Sequence, residues 1–245
     1  MLTKWLDHFL LLRAIDWIQV EVTSRCNAEC FYCPRTVYRN AWLNRDLSLR
    51  DFESLSPAFG RTDMIFLQGW GEPFLNPDIM SMIRIAKKAG CKVGTTTNGM
   101  LLNANMISQL VDCGMDVLAF SLAGVDERSN AFRKGTNLNT ILKTIQTVNE
   151  TKRNLGKKLP AIHIAYILLR SGLEDIERLP PLLRGLNISQ VVVSTLDFVP
   201  CKELKDESII PSNLEEYEKL QSRLEAVKAK SEQTGIPFHY RLHIP

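Results

Sequence analysis

Three cysteines stand on one short stretch, Cys26, Cys30 and Cys33, at the spacing C-x3-C-x2-C. Thiolates set so closely can converge on one metal centre, and thiolate sets favour iron–sulfur clusters among the soft-metal sites. A fourth ligand does not arrive, because Cys91, Cys113 and Cys201 are distant and the loop holds no histidine. Structural zinc closes a tetrahedron of four ligands, which this loop does not offer. Zinc with an open position remains a second reading, although histidine and carboxylate ligands are commoner there. A disulfide framework fits poorly, since the cysteine content is low and nothing resembles a signal peptide. A cubane held by three cysteines would keep one iron free for another ligand.

Other residues have types that could do chemistry. Gly69-Trp70-Gly71-Glu72-Pro73 follows an apolar strand-like run and places a carboxylate beside backbone carbonyls, which suits an ammonium. Arg133, before Gly135, carries a planar guanidinium that suits a carboxylate better than lysine would. Each has a plainer reading: a βα turn for the first, a surface cation for the second. Thr97-Asn98-Gly99 reads equally as a turn whose Asn-Gly supplies positive φ. His163 reads mainly as a hydrogen-bonded core residue, and Cys91 and Cys113 as small core residues. Cys201 could ligate an auxiliary cluster, but one cysteine makes none.

Taken together these motifs resemble those of the radical S-adenosylmethionine (radical SAM) enzymes. The cysteine loop matches C-x3-C-x-aromatic-C with Tyr32 at the aromatic position, and Gly69–Pro73 matches G-G-E-P with Trp70 inserted. Thr97-Asn98-Gly99 matches T-N-G. Ser121-Leu-Ala-Gly matches S-x-D-G except that Ala123 stands where the aspartate would, so one contact of the relatives is missing or replaced. The resemblance implies a [4Fe-4S] cluster on Cys26, Cys30 and Cys33, and SAM held by Tyr32, Gly71, Glu72, Pro73, Asn98, Ser121 and Arg133. Within that set Glu72 takes the amino group, Ser121 the ribose and Arg133 the carboxylate. It also implies reductive SAM cleavage to a 5′-deoxyadenosyl radical that abstracts hydrogen from substrate, with a flavodoxin or ferredoxin as electron donor. The pattern is most similar to relatives with a C-terminal, cysteine-rich SPASM or twitch-type extension, which modify ribosomal peptides or proteins or build cofactors. The chain stops at Pro245, where such an extension would begin. A non-catalytic iron–sulfur module for electron transfer or assembly would explain the cysteines but not the SAM motifs.

The elements that must position these residues alternate strand and helix. Strands are expected over 18–23, 64–68, 92–97, 116–121, 161–169 and 188–195, with helices between. Six such units imply a parallel α/β sheet with right-handed crossovers, too few for a closed barrel. The partial, open (β/α)6 barrel of the resembled family agrees with that count. Residues 1–16 are expected as an N-terminal helix, 17–235 as the core, and 236–245 as one further short strand leading to an absent C-terminal region. If a cover is missing there, Phe238, Tyr240 and Leu242 should face water beside an unpaired edge. Helix starts are expected at Ser48, at Asn76-Pro77 with proline at N1, at Asn103, and at a Ser212-x-x-Glu215 capping box. Polar Gln19, Glu21, Thr23, Gln68, Thr95, Thr97, Ser121, His163 and Ser194 on the strands imply a wet or ligand-filled interior.

The 245 residues are 45% hydrophobic and 23% charged with net charge +3, an ordinary globular composition. That charge is too mild to argue for nucleic acid or an anionic membrane, and no apolar run is long enough to span a bilayer. A reduced, cytoplasmic setting and a peptide or small-molecule substrate are expected.

Overall fold

The computed structural model of the protein describes residues 15–196 and 201–243. The expected helix over 1–16 falls outside the described residues except at its end, where Ile15 already opens strand β1 (Ile15–Val20). In chain order there follow β2 (Glu29–Cys30), α1 (Pro34–Val37), α2 (Leu49–Ser54), α3 (Ser56–Phe59) and β3 (Thr62–Leu67). Then come α4 (Ile79–Lys88), β4 (Lys92–Thr97), α5 (Ala104–Asp112), β5 (Val117–Leu122), β6 (Arg133–Lys134) and α6 (Leu138–Asn154). The last elements are β7 (Ala161–Leu168), α7 (Leu179–Leu183), β8 (Gln190–Thr195), α8 (Leu214–Gln233) and β9 (Phe238–Tyr240). Seven parallel strands, in the order β1-β3-β4-β5-β7-β8-β9, curl into a half-barrel. Six are the expected βα strands and the seventh is the expected short strand near the end.

Strand alternation sorts the two faces of the sheet. Along β7, Ile162, Ile164, Tyr166 and Leu168 are buried, whereas Ala161, His163, Ala165 and Ile167 are partly exposed on the concave side. The buried rows pack against Met82 and Ile83 of α4, Ile107 and Leu110 of α5, and Ile145 and Val148 of α6.

Several local expectations shift. Pro77 is not at N1: Asp78 is the N-cap of α4, because the buried Asn76 amide is drawn inward to the carbonyls of Val22 (2.6 Å) and Leu47 (3.0 Å). The cap of α8 is Asn213, one residue past the expected serine; Glu216 reaches back to the Ser212 amide at 2.9 Å. Ser48 and Asn103 cap as expected. Thr95 turns to the helix side and donates to Leu67 O (2.6 Å), so Thr96 is the threonine that faces the concave side. The end of the chain also differs from expectation. Phe238 is 1% exposed and Leu242 9%. Tyr240 is half-buried and donates to Glu225 on α8 at 2.5 Å. Helix α8 packs on β9 and buries these side chains, while β9 stays at the end of the sheet and pairs, among the described residues, only with β8.

Candidate functional site

All parallel strands deliver their C-terminal ends to the same rim, and the predicted residues collect there. One cavity of about 510 Å³ is lined by Cys26, Cys30, Cys33, Tyr32, Gly71, Glu72, Asn98, Ser121 and Arg133. Pro73 does not line it. That proline opens a 3-10 turn, Pro73–Leu75, for which Glu72 is the N-cap. His163 lies deeper on the concave face, 3.1 Å from the Gln190 amide, with burial holding its imidazole below the usual range. Cys91 is buried against Phe59 O. Cys201 sits in a small apolar cluster with Phe31, Tyr32, Phe132, Leu169, Leu196 and Leu204, which binds the segment after β8 to the cysteine loop.

The loop is fixed from two sides. Gly71 lies flat against it: a Cβ there would fall onto the carbonyl oxygens of Thr23 and Arg25, and the next amide, Glu72 N, donates to Arg25 O at 2.7 Å. On the other side β2 pairs antiparallel with β6, setting Cys30 opposite Arg133, while Glu29 and Lys134 form an ion pair at 2.8 Å. Gly135, at φ +88°, lets this ribbon approach Asn27 O, where a Cβ would stand 2.8 Å away. Burial pushes the Cys26 and Cys33 thiols up, opposed by the Ala28 amide on Cys26 and the Arg35 amide on Cys33. Burial likewise raises the Tyr32 phenol, whose hydroxyl reaches Cys30.

Glu72 is 2% exposed. Its carboxylate accepts from Thr97 Oγ1 (2.7 Å), Asn98 N (2.7 Å) and, more weakly, Phe74 N (3.4 Å). Burial raises its pKa against those bonds. A carboxylate offers about four acceptor positions, so capacity remains toward the cavity. Arg133, 4% exposed, donates through Nη1 to Ser121 O, and its buried Nε has no partner in the structure. A buried guanidinium N–H without an acceptor costs about 1–3 kcal/mol, and a carboxylate in the cavity would satisfy it. Three thiols, an unfilled guanidinium donor and a buried carboxylate around one cavity suit an iron–sulfur cluster bearing an amino acid.

Arg35 and Trp70, to which the sequence reading gave no role, also line the cavity, as do Gln68 and Ser194, expected among the inward polar residues. Arg35, directly after Cys33-Pro34, donates to Ala28 O and keeps a buried, unpartnered Nε. Gln68 bridges Thr96 Oγ1 (2.7 Å) and Gln19 Oε1 (3.2 Å) along one wall, while Ala165, Ile167, Val192 and Ser194 form the opposite wall. Their alternation on β3, β7 and β8 was the available signal. Trp70, the residue inserted in the glycine motif, is 51% exposed at the mouth. Its amide donates to Glu21 at 2.7 Å, and Gly69 makes room for that carboxylate. Among the described residues, no helix is long and apolar enough to cross a membrane.

The chain is 27% identical over 189 residues to the tungsten-containing aldehyde ferredoxin oxidoreductase cofactor-modifying protein of Pyrococcus furiosus, covering 74% of this chain and 52% of that protein. It is 27% identical over 223 residues to a GTP 3′,8-cyclase of Clostridium acetobutylicum, covering 79% and 68%. The crystal structure of Streptococcus suis SuiB bound to precursor peptide SuiA superposes with a TM-score of 0.71 at 18% identity, covering 97% of this chain and 51% of that one. The chain thus spans about half the length of the Pyrococcus relative and of SuiB. The model of the Radical SAM superfamily matches residues 20–189. The chain belongs to the radical SAM superfamily, whose enzymes use a [4Fe-4S] cluster and S-adenosylmethionine.

Proposed function

We propose that this chain is the core of a radical SAM enzyme that activates a C–H bond in a peptide or protein segment. Cys26, Cys30 and Cys33 hold the cluster, Glu72 with its neighbouring backbone holds the SAM ammonium, Arg133 the carboxylate and Ser121 the ribose. When bound, the cluster and SAM supply a reducing electron and a 5′-deoxyadenosyl radical. The protein's part is to orient and exclude: Glu72 and Arg133 fix the two ends of an amino acid, and the small apolar cluster around Phe31 and Phe132 shields the loop. Tyr32 lies in the same cluster and lines the cavity beside Cys30. A flavodoxin or ferredoxin in a reducing cytoplasm is the donor this chemistry calls for. The observation that carries the reading is the unpartnered, buried Nε of Arg133, aligned through β2–β6 pairing with Cys30.

The substrate side supports a peptide over a nucleotide. Among the described residues, the charged side chains lining the cavity are Arg35, Glu72 and Arg133, all gathered toward the cysteine loop, and the lining residues of β7 and β8 are uncharged. A nucleoside triphosphate needs several cations, whereas the amide of Gln68, the apolar Val192 and the indole of Trp70 suit a neutral residue of an extended chain. The SuiB complex with its precursor peptide has this fold. The relatives named GTP 3′,8-cyclase support the second reading, a nucleotide precursor of a cofactor. Equilibrium dialysis of the reconstituted protein against SAM and GTP separates them. SAM bound at one per chain with no GTP bound at millimolar concentration supports the peptide reading; tight GTP binding overturns it.

A further inference from the structure

Asn98 stands directly after β4, lines the cavity and is 6% exposed. Three of its polar groups are directed. Its backbone N–H donates to Glu72 at 2.7 Å, and its Oδ1 accepts from Met100 N at 2.9 Å. Its Nδ2 donates to Asn27 Oδ1 at 2.8 Å and also lies 3.8 Å from Cys26 Sγ. The same sulfur receives the Ala28 amide at 3.4 Å. Residue 98 thus reaches from the sheet across 72 positions of sequence to one thiol of the loop.

We propose that Asn98 is a positioning residue that sets the reduction potential of the iron–sulfur cluster by an N–H···S hydrogen bond to Cys26. The inference rests on the reading of Cys26 as a cluster ligand. An N–H donor to a ligand sulfur stabilises the more negative, reduced form, so it raises the potential, and outer contacts of this kind tune a metal site as well as orient its ligands. The partition of contacts makes the effect separable. The Glu72 bond comes from the backbone and survives any substitution at position 98. Asn98→Asp also keeps an oxygen for the Met100 amide, and replaces only the N–H donor, by a charge of the wrong sign. Asn98→Ala removes the donor without adding charge. Asn27→Ala removes the competing acceptor and leaves the donor to Cys26 in place.

The test is an EPR-monitored redox titration of anaerobically reconstituted protein without SAM, with iron and sulfide counted for each variant. Asn98→Ala should titrate at a more negative potential than wild type, Asn98→Asp at a more negative one still, and Asn27→Ala should show no negative shift, all at full iron content. Wild-type potentials in both Asn98 variants at full iron content would overturn the inference and leave the cysteine assignment standing. So would folded Asn98 variants that take up no iron, because Asn98 would then build the loop rather than tune its sulfur. Wild-type protein that takes up no cluster would overturn the cysteine assignment itself, and this inference with it.

Discussion

Replacing Arg133 by methionine tests the cosubstrate half of the site. The side chain is buried and lines the cavity, one end is held by Ser121 O, and the buried Nε has no acceptor in the structure. Its link to the cysteine loop is made by backbone: Cys30 pairs with residue 133, and Phe31 N donates to Phe132 O at 3.0 Å. Methionine therefore keeps the ribbon and much of the volume while removing the fork. A hydrogen bond to a charged group contributes about 1.5–3 kcal/mol, so losing one to the SAM carboxylate should weaken binding roughly 10- to 150-fold. Arg133→Lys keeps the charge without the planar fork and should fall between. The assay is equilibrium dialysis with labelled SAM on reconstituted protein, with iron measured on the same samples. Unchanged SAM affinity in Arg133→Met would refute the reasoning, and so would parallel loss of iron and affinity, since the side chain would then be serving the loop.

The glycine of the inserted motif makes a stability prediction. Gly71→Ala drives a Cβ into two backbone carbonyls, and overpacking of this kind costs about 1–3 kcal/mol, a Tm drop of roughly 2–12 °C by calorimetry. Because burial raises Glu72, SAM affinity should begin to fall above the ordinary carboxylate range as pH drops, and Glu72→Gln should bind more weakly without that pH dependence. Asp126, held to about 2 by the Arg128 guanidinium and then by Arg178, contributes stability above its unfolded value of 3.8 that is lost as pH falls toward 2. The Tm difference between wild type and Asp126→Asn should therefore shrink across that window. Cys91→Ala and Cys113→Ala should keep full iron on reconstitution, since neither residue lines the cavity.

The strand–helix alternation was legible because each strand carries a period-two pattern and each long helix an apolar stripe, and the register then places βα loops at one rim. The cysteine loop, Gly71, Glu72, Asn98, Ser121 and Arg133 were singled out by the resemblance of their motifs to those of the radical SAM family, and the structure gathers them around one cavity. What could not be read was set by contacts distant in sequence. The pairing of Cys30 with Arg133 joins two-residue strands too short to carry a pattern. Asn76 looked like a helix start, but its amide is taken by carbonyls 54 and 29 residues away. Thr95 and Thr96 are chemically alike, and only the register decides that Thr96 faces the cavity. Phe238 and Leu242 looked exposed because the packing of α8 over β9 leaves no mark in the strand itself.

The central claim, that this cavity binds a cluster and SAM together for reductive cleavage, is tested by one measurement. Anaerobically reconstituted protein is reduced with dithionite in the presence of SAM, and 5′-deoxyadenosine and methionine are quantified by chromatography, beside Cys26→Ala, Cys30→Ala and Cys33→Ala. The account predicts both products in equal amounts from the wild type and neither from the three variants. A fully loaded, reduced wild-type cluster that leaves SAM intact, or a cysteine variant that still cleaves it, would contradict the account.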